Sequence, residues 1–150
     1  MKLIKTILLI LFICTAVPAF ATEWVPIEGT DRYFDRSRIR TESNGNILIW
    51  QKTVLKDYLV RKLEADLRRM GNSIDYTGYS YSIELWEINC KQQTHGIRSI
   101  INYTEDGRII DSFDMENVHL RPVPPESEGE AAFRAACAHM AKKNKGNENE

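Results

Sequence analysis

Only two cysteines, Cys90 and Cys137, follow residue 21, and their relationship constrains this chain more than any other feature. The constraint starts at the N-terminus. Lys2 and Lys5 precede an almost wholly apolar run from Ile7 to Val17, and the small residues Ala19 and Ala21 stand just before "TEWV". A basic segment, a short apolar segment and small residues in this order form a secretory leader, with cleavage expected between Ala21 and Thr22. The apolar run is shorter than the roughly 20 residues that span a bilayer. Cys14 leaves with the leader, and the residue before it is Ile13, where a lipoprotein leader would carry a small side chain. An exported chain folds where thiols oxidise, so two remaining cysteines read as a Cys90–Cys137 disulfide. Such a bond typically stabilises by about 2–4 kcal/mol, mostly by restricting the unfolded chain. A buried thiol, a nucleophile or a metal ligand are weaker alternatives. Cys137 and His139 are two apart and face apart on a helix. A structural zinc site wants four ligands, and none is set at the usual spacing around Cys90. A catalytic thiol would have to escape oxidation by the other cysteine.

Loss of the leader also changes the charge. Removing Lys2 and Lys5 from 20 basic residues leaves 18 against 21 acidic ones, a net charge of −3. That excludes a strongly basic nucleic-acid binder. No second apolar segment is long enough to span a membrane. The expected organisation is a leader over residues 1–21, one domain over 22–140, and a polar tail over 141–150.

Local patterns predict an α+β domain: an antiparallel meander of about five to six strands packed by a mid-chain helix and a C-terminal helix. "EWVPI" reads as a first strand, with Pro26 either placing it at an edge, where a partner strand can add, or starting a bend. "RYFD" is a short extended piece. Asn44-Gly45 and Asp106-Gly107 are hairpin turns, and "NILIWQKTVL", "HGIRSIINY" and "RIIDSF" are the strands beside them, with "VHLRPV" as a last strand. In "DYTGYSYSIELWEINC", Tyr79, Tyr81, Ile83 and Leu85 share one face while Trp86, Ile88 and Cys90 share the other. The apolar alternation therefore crosses over near Leu85 and Trp86, as a bulge or burial on both faces produces. The cluster Tyr76, Tyr79 and Tyr81 is expected to be half-buried packing.

Residues 57–71 change period. Leu59, Val60, Leu63, Leu67 and Met70 lie within an arc of about 100° on a helical wheel. Asp57 starts this helix and Gly71 stops it, with Arg68 and Arg69 in the last turn. The second helix lies in "PPESEGEAAFRAACAHMAKK". Ser127 and Glu130 form a capping box, and Phe133, Ala136, Cys137 and Met140 line its apolar face. Cys137 is thus placed to pin that helix to the strand that ends at Cys90.

The familiar catalytic and nucleotide-binding motifs are missing from the sequence. His95, His119 and His139 are scattered. Glu84 and Glu87 fall on opposite strand faces and cannot form a close dyad. Asn102-Tyr103-Thr104 matches a glycosylation sequon inside a predicted strand. No catalytic residue, metal ligand or cofactor is expected. The candidate binding surface is basic: Arg36, Arg38 and Arg40 in one stretch, and Arg61, Arg68 and Arg69 on the first helix.

The order of residues resembles the surface-adhesin protein E family of small exported bacterial proteins, from about Trp24 to Cys137. Its carriers are "EWV", "YFD-RSRI" with Asp35 and Ile39, Trp50 after the Asn44-Gly45 turn, and "LWEINC" through Cys90. Tyr103 ahead of "DGR", Pro125 and Ser127 before the last helix, and Cys137 complete them. The stretch 57–78 is longer and more helical than the family's usual link, and Val118 or His119 stands where the family often has a tryptophan. The resemblance implies an antiparallel sheet packed by helices and export to the periplasm or cell surface. It also implies an adhesin-like, non-enzymatic function of binding host matrix or serum proteins. A haem-binding role is associated with the family as well. An endogenous envelope protein is the alternative partner, a small ligand or haem the third option, and a homodimer is compatible with each. The family's motif residues look structural, so no binding residue is carried over.

Overall fold

The computed structural model describes residues 22–71 and 73–147. The expected leader over residues 1–21, with Cys14, lies outside the described residues. Six strands run in spatial order through one antiparallel sheet: β1 (Trp24–Pro26), β2 (Arg32–Asp35), β4 (Ile47–Val54), β5 (Tyr79–Asn89), β6 (Thr94–Thr104) and β7 (Ile109–Asp114). Two-residue strands β3 (Arg40–Thr41) and β8 (Arg121–Pro122) pair with β4 and β6. Helix α1 (Asp57–Arg69) follows β4, and α2 (Glu128–Asn147) ends the fold. The domain is α+β, as the patterns predict. Pro26 does sit on an edge strand, where its missing N–H leaves no ladder bond unmade.

The turns form where the sequence places them. Gly45 and Gly107 have φ of +81° and +83°, which glycine adopts without steric cost. At the start of α2, the Glu130 N–H donates to Ser127 Oγ at 3.1 Å, and the Glu130 carboxylate accepts from the Glu126 N–H at 2.7 Å. The reciprocal bond thus reaches one residue further back than in the standard box. The helix continues past Met140 to Asn147, beyond the point where the sequence pattern ends it.

One face of the sheet is covered. Ile47 and Ile49 of β4 stand opposite Ile88 and Trp86 of β5, and all four are buried with Ile27, Phe34, Ile39 and the α2 residues Ala132, Phe133 and Ala136. The two alanines are fully buried, so the helix backbone comes close to the sheet. Cys137 packs against the same cluster and bonds Cys90 across an S–S distance of 2.07 Å. The bond spans 47 residues, which corresponds to about 4 kcal/mol in the chain-entropy description. The Trp86 indole N–H donates to Glu84 at 2.7 Å, while the Arg32 guanidinium lies 5.8 Å from its ring and His95 stacks on it at 4.7 Å.

A second, smaller cluster holds α1. Val60 packs with Tyr76 and Tyr79, and Leu55, Leu67 and Ile110 join them. The helix rests on the edge of its apolar arc rather than its middle. Leu59 (41%), Leu63 (36%) and Met70 (73%) remain exposed. The expected single face of Tyr79, Tyr81, Ile83 and Leu85 is also divided. A register shift between Tyr79 and Tyr81 turns Tyr79 to the covered side, where its O–H donates to Asn102 at 2.8 Å. Asn102 is buried and also donates to Asp111, so the sequon residue is held inside the fold.

Candidate open-face binding site

Strand pleating forces the alternate residues of β4, β5 and β6 onto the other side of the sheet. Trp50 stands opposite Leu85, Lys52 opposite Ile83, and Val54 opposite Tyr81. On the far side of β5, Leu85 faces Ser99, Ile83 faces Ile101, and Tyr81 faces Tyr103. Trp50, Tyr81, Ile83, Leu85, Ile101 and Tyr103 are all half-buried, and none belongs to either core cluster. Both helices place their buried residues in those two clusters. An antiparallel sheet with one solvated face normally alternates apolar inward with polar outward. Here both sides of β5 are apolar, which explains the crossover seen near Leu85 and Trp86. A register shift lies between the same two residues.

The open face is concave. A groove of about 280 Å³ is lined by Thr22 and Trp24 at β1, Arg38, Trp50 of β4, Ile83 of β5, and Ile101 and Tyr103 of β6. In a flat sheet, β1 and β6 would be about 19 Å apart, four strand spacings. Side chains from both strands line one groove because the sheet curls. Two register shifts, at Tyr79/Tyr81 and Leu85/Trp86, fall in the β5–β6 pairing, and bulges bend strands and increase their twist.

The groove's charges are arranged unequally. Arg38 extends from a 3₁₀ turn at Arg36–Arg38 that Asp35 caps. Its guanidinium pairs with the fully buried Asp35 at 3.2 Å and donates to Thr22 Oγ1 at 2.9 Å. Glu87, buried at the end of this face opposite Leu48, accepts from Asn46 at 2.6 Å and from Arg98 at 2.8 Å. Burial pushes its carboxyl up, but these hydrogen bonds and the Arg98 charge outweigh it and hold the group below its ordinary pKa. Lys52 differs: its ammonium lies 4.1 Å from the Tyr81 ring centroid and has no carboxylate partner among the described residues. Tyr81 in turn stacks on Tyr103 at 4.9 Å. Burial and the neighbouring Tyr81 raise the Tyr103 phenol, so the stacked ring stays neutral at physiological pH.

The six candidate arginines have separate surroundings. Arg36 pairs with Glu23, Arg38 with Asp35, Arg40 with Glu42, and Arg69 with Asp66. Arg61 and Arg68 are exposed on α1. Arg38 is the one that lines the groove. His95 and His119 line a separate depression of about 330 Å³ with Met115 and Arg121, and His139 packs edge-on to Phe34. Among the described residues, no three His, Cys, Asp or Glu side chains converge to hold a metal ion. No described helix is long and apolar enough to cross a membrane. The pattern of charges in the sequence pointed to arginines and passed over Trp24, Trp50, Lys52 and Tyr103. Their signal was present as apolar residues on both parities of one strand, which demands cover on both faces.

A search of curated proteins returns no match to the chain. The family model described as surface-adhesin protein E matches residues 24–138.

Proposed function

The chain belongs to the surface-adhesin protein E family, and from that premise we propose that it is an exported, non-enzymatic binding protein whose contact surface is the concave open face. Its partners are other proteins, with host matrix or serum proteins first among them. The observation that carries this reading is the half-buried aromatic and aliphatic face that neither helix packs against. Contiguous apolar surface of this kind marks interaction sites in water-soluble domains. Tryptophan, tyrosine and arginine, the residue types most enriched at binding hot spots, all line its groove. The basic and apolar segments over residues 1–21 support export to the periplasm or the cell surface, with a mature chain starting at Thr22.

The test is saturable binding of the mature chain to immobilised matrix and serum proteins, compared with its Trp50→Ala and Leu85→Ser variants. Binding lost in both variants, with circular dichroism unchanged, supports the reading. Binding that survives both removes the open face from it, and no saturable binding to any of these proteins removes the adhesin function. In that case an endogenous envelope protein, sought by crosslinking in the native cell, becomes the partner to test. A small-ligand reading has one observation in its favour, the shared depression of His95, His119 and Met115. It requires a new absorbance band on adding haem that disappears in His95→Ala.

A further inference from the structure

Resting on the reading of the concave face as a contact surface, we propose that its occupant is an extended protein segment with an apolar or aromatic anchor and a carboxylate two residues away. The size of the groove comes first. At about 280 Å³ it stands at the lower edge of the roughly 300–1,000 Å³ of small-molecule pockets. It has room for one or two side chains. Trp24, Trp50 and Tyr103 form much of its wall, so an inserted ring or branched side chain meets aromatic surface from β1, β4 and β6.

Charge then selects among segments. Two of the cations at this face already have internal partners, Arg38 with Asp35 and Arg98 with Glu87. Lys52 is held on the Tyr81 ring without one. The face therefore offers one uncompensated positive charge within an apolar surround. A segment carrying a cation there would place two like charges together as water leaves, whereas a carboxylate would pair with the ammonium.

Spacing links the two features. Trp50 and Lys52 are two residues apart on β4 and share a face, a separation of about 6.8 Å in a strand. Same-face side chains of an extended segment have that repeat as well. An anchor over Trp50 thus brings a carboxylate at the second residue on to Lys52.

The experiment uses the mature chain and two fluorescein-labelled peptides. One has a central tryptophan with aspartates two residues to either side, and its twin has lysines in their place. Fluorescence anisotropy should show the acidic peptide binding on the order of tenfold more tightly than its twin, with the gap narrowing as salt rises. Lys52→Glu should reverse the preference and Lys52→Gln should abolish it, both with unchanged circular dichroism. Equal affinity for the two peptides, binding of neither, or a preference that persists in Lys52→Glu would overturn the proposal. So would a concentration-dependent doubling of mass that Trp50→Ala abolishes, because a second copy would then occupy the face. If peptide preference is absent while Trp50→Ala still abolishes capture of a matrix or serum protein, the segment chemistry fails and the contact surface stands.

Discussion

The two sides of β5 differ in fate although they are alike in composition. Trp86 (4% exposed) and Ile88 (0%) lie under α2, while Ile83 and Leu85, equally apolar, remain half-buried on the open side. The difference is set by what can approach each side. Ala132 and Ala136 let α2 lie close to the sheet, and Cys137 fastens it there. The open side is curved around a groove, and its larger rings pack sideways on one another, as Tyr81 does on Tyr103. An apolar strand face is therefore a demand for cover, and the demand is met within the chain on one side only.

Substitutions on the two sides should separate along that line. Trp86→Ala is expected to have the largest effect, about 3–5 kcal/mol, because it empties a packed core position and leaves Glu84 without its indole donor. Urea denaturation of the variant beside wild type measures it, and a loss below 1 kcal/mol, on the scale of a surface change, would contradict the assignment of the covered face. Replacing both Cys90 and Cys137 by serine should cost about 2–4 kcal/mol. Because it loosens the cover rather than the sheet, an apolar dye should then fluoresce more strongly than it does with wild type.

Glu87 sharpens the comparison, since it gives the open side a buried ionic seal. Glu87→Gln is expected to cost about 1.5–3 kcal/mol at neutral pH. The Glu87 carboxyl is held below its ordinary value of 4.5, so the folded state binds this proton less readily than the unfolded chain. Its stabilisation is present above that value and is lost as pH falls through the lower folded pKa. Midpoints measured from neutral pH into acid should therefore fall less steeply for Glu87→Gln than for wild type. The smallest effect belongs to Trp50→Ala. Its half-buried ring contributes about 1 kcal/mol or less to stability, and the variant should keep its fold while losing partner binding. A cost equal to that of Trp86→Ala would show that the open face is core.

Features fixed by a few neighbouring residues were legible in the sequence. The glycine turns, the Ser127–Glu130 cap and the edge proline each follow from local chemistry, while the Cys90–Cys137 pair, 47 residues apart, follows from expected export and the count of cysteines. The docking of α1 did not follow from periodicity. The helical wheel defines an apolar arc, but only the positions of Tyr76, Tyr79 and Ile110 decide which edge of it is buried. Tyr79 changed sides because of a single register shift, which alternation alone cannot locate. The candidate arginines were read from charge density. Four of them have carboxylate partners: Glu23, which pairs with Arg36, comes from the residue just before β1, while Asp35, Glu42 and Asp66 lie two or three residues from Arg38, Arg40 and Arg69. The groove depended on strand curvature, so its residues, from Trp24 to Tyr103, are scattered along the chain.

The bond between Cys90 and Cys137 has a consequence for survival among proteases. It closes a covalent ring that contains all of β6, β7 and β8, together with the exposed turn at Glu105–Gly107 and the exposed stretch Met115–Asn117. A single peptide-bond cut anywhere inside that ring leaves both new ends on one molecule. The severed chain keeps its sheet partners at full effective concentration, and only reduction of the sulfur bridge lets the pieces part.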